Sequence, residues 1–449
     1  MRSVVRRAKA WIAAATVAGC SSGSAAPPAE TSPSLTYYKD VAPILDAKCN
    51  QCHAAGGIAP FTLTTPEDAI AHQIDIASAT AARVMPPWPP AKGCNEYKGD
   101  RSLTDEHIAT IGGWVDGGAK LGDPSEYKPL GSPVAGLSRV DRTLTAPAPY
   151  TPKIRPDEYR CFLLDWPETT TKYITGFGVT PGQPSILHHV LAYVASPDQV
   201  AIFQAYDDAD PEPGYACFGG PSGPSGDAST SGPPAQLGAW APGSMGADFP
   251  PNTGINVAAG SKIIVQFHYN TLTAEPVADQ TALKLELADT VEREAVIIPF
   301  TNPSWVFQKT MSIPAGTADM SYSFSYDAVR AASVRGQGII ATGLPLSVYS
   351  AALHMHLHGT HTTLSVVHLD GTSACLLDIP NWDFHWQGGY GLTGPMGVVP
   401  GDAFRIECHW DNSATNQPVI DGQLQAPLDL NWGERTTDEM CIGFMYVTQ

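Results

Sequence analysis

The chain reads as a mainly β protein, two jelly-roll-like β-sandwich domains preceded by a small all-α domain. Beyond residue 155, short β-branched runs alternate with Gly/Pro turns, among them "PSILHHVLAYVAS", "SKIIVQFHYN", "ALKLELA", "TLSVVHLD", "DAFRIECHW" and "MCIGFMYV". That rhythm belongs to sandwiches and jelly rolls. Segments with helical period lie within 34–125. With 42 Gly, 40 Pro and 16% charged residues, the 449-residue chain is loop-rich and too long for one ordinary core.

Taken in order, residues 1–20 read as a targeting segment: Arg2, Arg6, Arg7 and Lys9 precede the apolar "AWIAAATVA", and "VAGC" ends at Cys20. That ending resembles a bacterial lipobox, in which the cysteine is lipidated; a plain secretory signal is the alternative. Residues 21–33 then form a polar tether. The expectation is an exported lipoprotein anchored at the outer membrane or cell surface, with the periplasmic side as an alternative. The membrane is met through the lipid anchor alone, because no later apolar run reaches the roughly 18 residues of a spanning helix. A net charge of −18 argues against nucleic acid and anionic membrane surfaces as partners.

Residues 34–125 carry "DVAPILDAKCNQCH", an amphipathic helix running into C-x-x-C-H. This is the attachment signature of c-type haem, with Cys49 and Cys52 as thioether donors and His53 as an iron ligand. Two further helices follow, "EDAIAHQIDIASATAARV" and "TDEHIATIGGWVDGGA". The second has Thr104 as N-cap, Asp105 and Glu106 in its first turn, apolar Ile108, Ile111 and Val115, and a Gly117-Gly118 stop. "VMPPWPP" offers Met85 as the distal ligand, with His72 as its rival. The module resembles a class I cytochrome c.

Residues 126–154 read as a Pro/Gly/Ser-rich linker, 155–289 as the first β domain and 290–449 as the second, with 219–238 a mobile surface loop inside the first. Apart from Cys20, Cys49 and Cys52, six cysteines remain in an oxidising location, which favours disulfides without settling their pairing.

Strand alternation in "SKIIVQFHYN" puts Ile263, Val265, Phe267 and Tyr269 on one face and Ile264, Gln266 and His268 on the other. In "LHMHLHGTH" it groups His354, His356 and His358, a natural metal bite, against the bland reading of a polar sheet face. The adjacent His188 and His189 point oppositely on a flat strand and converge only at a bulge or strand end.

These motifs, in this order, resemble the type II, ascorbate-dependent copper monooxygenases that include peptidylglycine α-hydroxylating monooxygenase and dopamine β-monooxygenase. "LHHVL" and "VQFHY" match one copper site of that family (His188, His189, His268), "HMHLHG" the H-x-H-x-x-G of the other (His354, His356), and "TTDEMCIGFMY" its thioether ligand, Met440. The resemblance implies two jelly-roll-like domains with one copper each, facing across an open cleft. It further implies the disulfides Cys161–Cys217 and Cys408–Cys441, leaving Cys94 and Cys375 unplaced, and puts Tyr159 and Gln266 near the first copper. Three imidazoles suit an electron-transfer copper, and two imidazoles with a soft thioether suit the oxygen-binding, catalytic one. Met445, the rival thioether, falls opposite Met440 by alternation. Within "LHMHLHGTH", Gly359 sets the register, leaving His358 as a pocket or supporting residue and His361 at the surface.

The chain departs from the peptide-processing member at the Arg and Tyr that clamp a carboxylate, which are Ala352 and Phe444 here. Leu353, Phe444, Tyr390 and Trp386 are candidates for an apolar substrate pocket. The cofactors expected are two copper ions and one covalent c-type haem; the partners are O2, a small organic substrate and an external donor, an ascorbate-like reductant or another cytochrome. Electrons are expected to enter at the haem and pass to the His188/His189/His268 copper. A non-catalytic copper/haem electron-transfer or copper-handling protein is the rival reading, and an oxygenase with zinc or iron in the histidine cluster a third.

Overall fold

A computed structural model describes residues 34–449 apart from 56, 58, 132–135, 224–232, 273, 337 and 421. The expected signal segment, tether and lipidated Cys20 lie outside the described residues.

Short helices form the first part, at Ala42–Lys48, Pro66–Ala71, Gln73–Ala81 and Asp105–Asp116. The last starts where the sequence says it should: Thr104 accepts the His107 N–H, and Gly117 follows its end. Its buried stripe is Ile111 and Trp114, which pack on Val41, Ile44 and Leu45. The single helix expected over "EDAIAHQIDIASATAARV" is two. His72 leaves helical geometry at φ −108, ψ 15, and the Thr65 side chain caps only the first piece.

From Asp157 on, three sheets build two sandwiches. A five-stranded sheet runs 215–216, 157–165, 262–270, 187–195 and 235–240 in space. The end of the expected 219–238 loop is therefore strand: Ala235–Trp240 pairs with Leu187–Ala195. Opposite lies a long sheet whose first half (142–145, 282–288, 172–180, 253–257) closes the first sandwich over Phe162, Val190, Val265 and Phe267. Its second half (293–300, 442–448, 346–354, 389–398) faces a four-stranded sheet (320–327, 403–410, 359–367, 373–379) over Val348, Leu364, Phe404 and Ile406.

The expected break near Asp289 falls in the turn between Ala282–Ala288 and Arg293–Phe300. The backbone ladder does not break there, since Arg293 and Glu294 pair in parallel with Thr253 and Gly254 of the first sandwich. Leu35–Gln449 accordingly pack as one unit.

Disulfides join Cys161 to Cys217 and Cys408 to Cys441, and a third joins Cys94 to Cys375 across 281 residues. That third bond anchors the helical part to the second sandwich. Around it, Ala91 N–H donates to Asp378 O (2.8 Å), Asn95 Nδ2 to Cys375 O (3.1 Å) and Tyr97 bridges to Leu392.

Candidate metal centres

Lys262–Asn270 is the central strand of its sheet and buried on both faces, so its alternation sorts partners rather than solvent. Ile263, Val265, Phe267 and Tyr269 enter the sandwich core, while His268 faces the other way, 1% exposed. The neighbouring Leu187–Ala195 slips register between Leu187 and His189. This bulge turns His188 and His189 to the same side, and His189 sits across from His268. The three Nδ1 atoms lie 3.2–3.3 Å from one another. A triangle of that side has its centre about 1.9 Å from each corner, close to a metal–imidazole bond of about 2.0 Å.

The far side of this triangle is built to hold it. His268 Nε2–H donates to Asp157 Oδ1 at 3.0 Å, which leaves Nδ1 as the bare nitrogen. Asp157 also accepts from Asn270 Nδ2 and from Thr436 Oγ1 of the second sandwich. Burial opposes ionisation of Asp157, but the hydrogen bond from His268, with the Thr436 and Asn270 donors, outweighs it and brings its carboxyl down to about 2. Tyr159 stacks flat on His268 (4.1 Å, 8°) and donates its hydroxyl to Glu434 O, while Gln266 Nε2 donates to Gly220 O. Neither is positioned by direct ligation.

The strand carrying His354 ends there. Met355–His358 turn, and the next strand begins at Gly359. Alternation therefore does not govern His356 and His358, contrary to the grouping of three on one face. Gly359 is needed at the turn because a Cβ would sit 2.8 Å from Trp382 Cδ1 and 2.9 Å from Met355 Cε. His354 Nδ1–H donates to Gln387 Oε1 (2.6 Å) and His356 Nδ1–H to Asp438 O (3.2 Å), so each keeps Nε2 free. Burial pushes the imidazoles of His188, His189 and His356 well below their ordinary range and His354 to about 4. All four are neutral at physiological pH, the form that binds metal.

Met440 joins this pair through one buried carboxyl. Glu439 Oε2 accepts from His356 N (3.0 Å), Met440 N (3.3 Å) and Trp410 Nε1 (2.8 Å), and Oε1 from His358 N (2.7 Å). His358 is thus a supporting residue beside Glu439. His361 turns outward to Asp378, 2.7 Å away. Met445 is fully buried in the sandwich core.

The two histidine sets meet rather than face across an open cleft. His189 and His354 rings stand 6.2 Å apart, and Phe384 stacks on His188 (4.5 Å) while standing perpendicular to His356 (5.9 Å). The continuous sheet explains the closeness, because Glu294 paired to Gly254 leaves no hinge between the sandwiches. His189, His354, His356 and Met440 line a cavity of about 1510 Å³. Ala352, Leu353, Phe444, Tyr390 and Trp386 line it too, and Ala352 and Phe444 are direct cross-strand neighbours.

Cys49, Cys52, His53 and Met85 reach the same cavity. Cys49 and Cys52 are the free cysteines among the described residues. His53 Nδ1–H donates to Phe61 O at 3.0 Å, aiming Nε2 elsewhere. Phe61 stacks on His72 at 3.8 Å and packs against His53 at 4.8 Å.

Against this geometry the comparisons are informative for one segment. Residues 305–448 match the family model of the copper type II ascorbate-dependent monooxygenase C-terminal domain. The matched segment contains His354, His356 and Met440, and the family described by that model is copper-dependent, using O2 and an ascorbate-like reductant. No curated protein matches the chain. Similar solved structures include PNGF-II (9% identity, 68% of this chain, TM-score 0.26), of which the chain covers 65%. Another is the infectious bursal disease virus VP2 subviral particle (11% identity, 71% of this chain and 74% of that one, TM-score 0.17). Likeness at these scores carries no argument.

Sequence reasoning missed Asp157, Glu439, Gln387, Trp382 and Phe384. The last three sit in "NWDFHWQGGY", whose aromatic density ahead of two glycines was a signal for a packed site loop.

Proposed function

We propose that this protein is a copper-dependent monooxygenase that hydroxylates a C–H bond of a small organic substrate, with electrons entering through a c-type haem in the helical module. The balance is RH + O2 + two electrons + two protons → ROH + H2O. The observation that carries the reading is a three-Nδ1 triangle whose His189 lines the same cavity as His354, His356 and Met440, the two imidazoles there each keeping Nε2 free. His188, His189 and His268 would hold one copper, His354, His356 and Met440 the other. Copper bound there supplies one-electron storage at the first set and dioxygen reduction at the second.

The protein's own part is orientation and shielding. Asp157 and Gln387 fix which nitrogen of His268 and His354 is free, Glu439 ties the His356 turn to Met440, and the apolar walls at Leu353, Phe444 and Trp386 favour an apolar or aromatic substrate over one bearing a carboxylate. Cys49 and Cys52 would bind haem covalently, with His53 and Met85 as the residues that would hold its iron. Cys20 would anchor the exported chain.

Replacing Met440 by Ile should abolish hydroxylation while haem and the copper of the histidine triangle stay bound, measured by product analysis and metal content. Retained product would sink the assignment. Oxygen uptake without any oxidised product, across a panel of small metabolites, would favour a copper/haem electron-transfer protein instead.

A further inference from the structure

The loop that carries Met85 does not end in the helical module. Three residues on, Trp88 is 3% exposed and belongs to the core of the second sandwich. Its ring lies 5.3 Å from Trp382, and its carbonyl accepts the Tyr390 hydroxyl at 2.7 Å. Trp382 in turn stands edge-on to His354 (6.5 Å, 85°) and donates its indole N–H to His356 O at 3.0 Å. A file of rings therefore runs from the Met85 loop to His354, and a hydrogen bond continues it to the backbone of His356.

Packing alone does not account for Trp88. Its φ of +62° is a strained choice for a bulky side chain, and its buried Nε1–H has no hydrogen-bond partner. A phenylalanine would keep an aromatic ring there without the orphaned donor. The Cys94–Cys375 disulfide a few residues on holds this segment to the sandwich. Toward the first centre, the module's contact is a loop instead: Gln51 Nε2 donates to Gly243 O at 2.9 Å. Among the described residues, no ring of the module pairs with His188, His189, His268 or the rings stacked on them.

We propose that Trp88 and Trp382 form the electron bridge from the haem module to the His354/His356/Met440 centre, bypassing the three-histidine centre. The inference rests on the haem and copper reading above. One electron passes per event, from ferrous haem to Cu(II), giving ferric haem and Cu(I), and no bond forms or breaks. The second electron for each dioxygen comes from the first centre, across the His189–His354 contact of 6.2 Å, and an ascorbate-like one-electron donor from solution returns that centre to Cu(I). The physical reason is coupling: an electron tunnels far more readily through packed rings and a hydrogen bond than across a solvent-filled gap.

The test uses the full-length holoprotein, fully oxidised, without O2 or substrate, so turnover does not enter the readout. A flash-generated one-electron donor reduces the haem, and the return of ferric haem absorbance is followed with the loss of the Cu(II) paramagnetic signal. Trp382→Leu and Trp88→Leu should slow haem reoxidation severalfold or more, because each removes a ring from the packed chain. Trp382→Phe and Trp88→Phe should fall between, with haem potential and copper content unchanged. His268→Ala, which removes the first centre, should leave the rate intact, and it decides the matter alone if the tryptophan variants fold poorly. Unchanged rates in the Trp variants, or loss of transfer in His268→Ala, overturn the proposal. A protein without covalent haem or copper overturns the underlying reading as well, and is told apart by cofactor analysis before any flash.

Discussion

Glu439 shows how much of a metal centre can depend on a residue that ligates nothing. Its side chain is fully buried and accepts four N–H groups, from His356, His358, Met440 and Trp410. An amide in its place must point an NH2 at one of these donors. Glu439→Gln should therefore cost about 1.5–3 kcal/mol, the scale of hydrogen bonds to a charged group. It should also lower copper affinity at the His354/His356/Met440 centre, leaving the histidine triangle and haem absorbance unchanged. Calorimetry with copper titration checks both, and an unaltered second copper would show that the turn holds its shape without the carboxyl. The sequence did not mark Glu439, because an acidic residue beside a methionine is ordinary until three donors from distant segments arrive around it.

At the scale of the element, two local departures from regular strand build the centres. The bulge between Leu187 and His189 brings adjacent histidines to one side, and the turn after His354 frees His356 from strand alternation. Sequence reasoning gave the condition for the first, that a bulge or strand end was needed, and mistook the second for continuing strand. The difference is physical: adjacency forces a geometric choice, whereas three alternating histidines look alike whether the chain runs straight or turns. Gly359 is the residue that permits the turn. Gly359→Ala puts a methyl group 2.8 Å from Trp382 Cδ1, and overpacking of this kind costs about 1–3 kcal/mol. A lower melting temperature with altered tryptophan fluorescence is expected; an unchanged melting curve would mean Trp382 moves freely aside.

For the whole molecule, the Cys94–Cys375 disulfide and the unbroken sheet make one body of what the sequence divides into three. Closing a loop of 281 residues restricts the unfolded chain by on the order of 5 kcal/mol in the chain-entropy account. Replacing both cysteines by serine should lower the melting temperature measurably. It should also expose the segment around Trp88 to proteolysis between the helical module and the second sandwich. A double variant as protease-resistant as the parent would show that the Ala91, Asn95 and Tyr97 contacts suffice.

The sequence alone determined the mainly β class, the helix from Asp105 with its Thr104 cap and the two faces of Lys262–Asn270, because each follows from period or capping chemistry, while the histidines that meet were marked by the family resemblance of their ordered motifs. Only the tertiary structure decided that the two histidine sets close to ring contact, that Asp157 and Glu439 support them, and that Cys94 meets Cys375. Those facts depend on which strands become neighbours, and residues hundreds of positions apart carry no local signal of their partners.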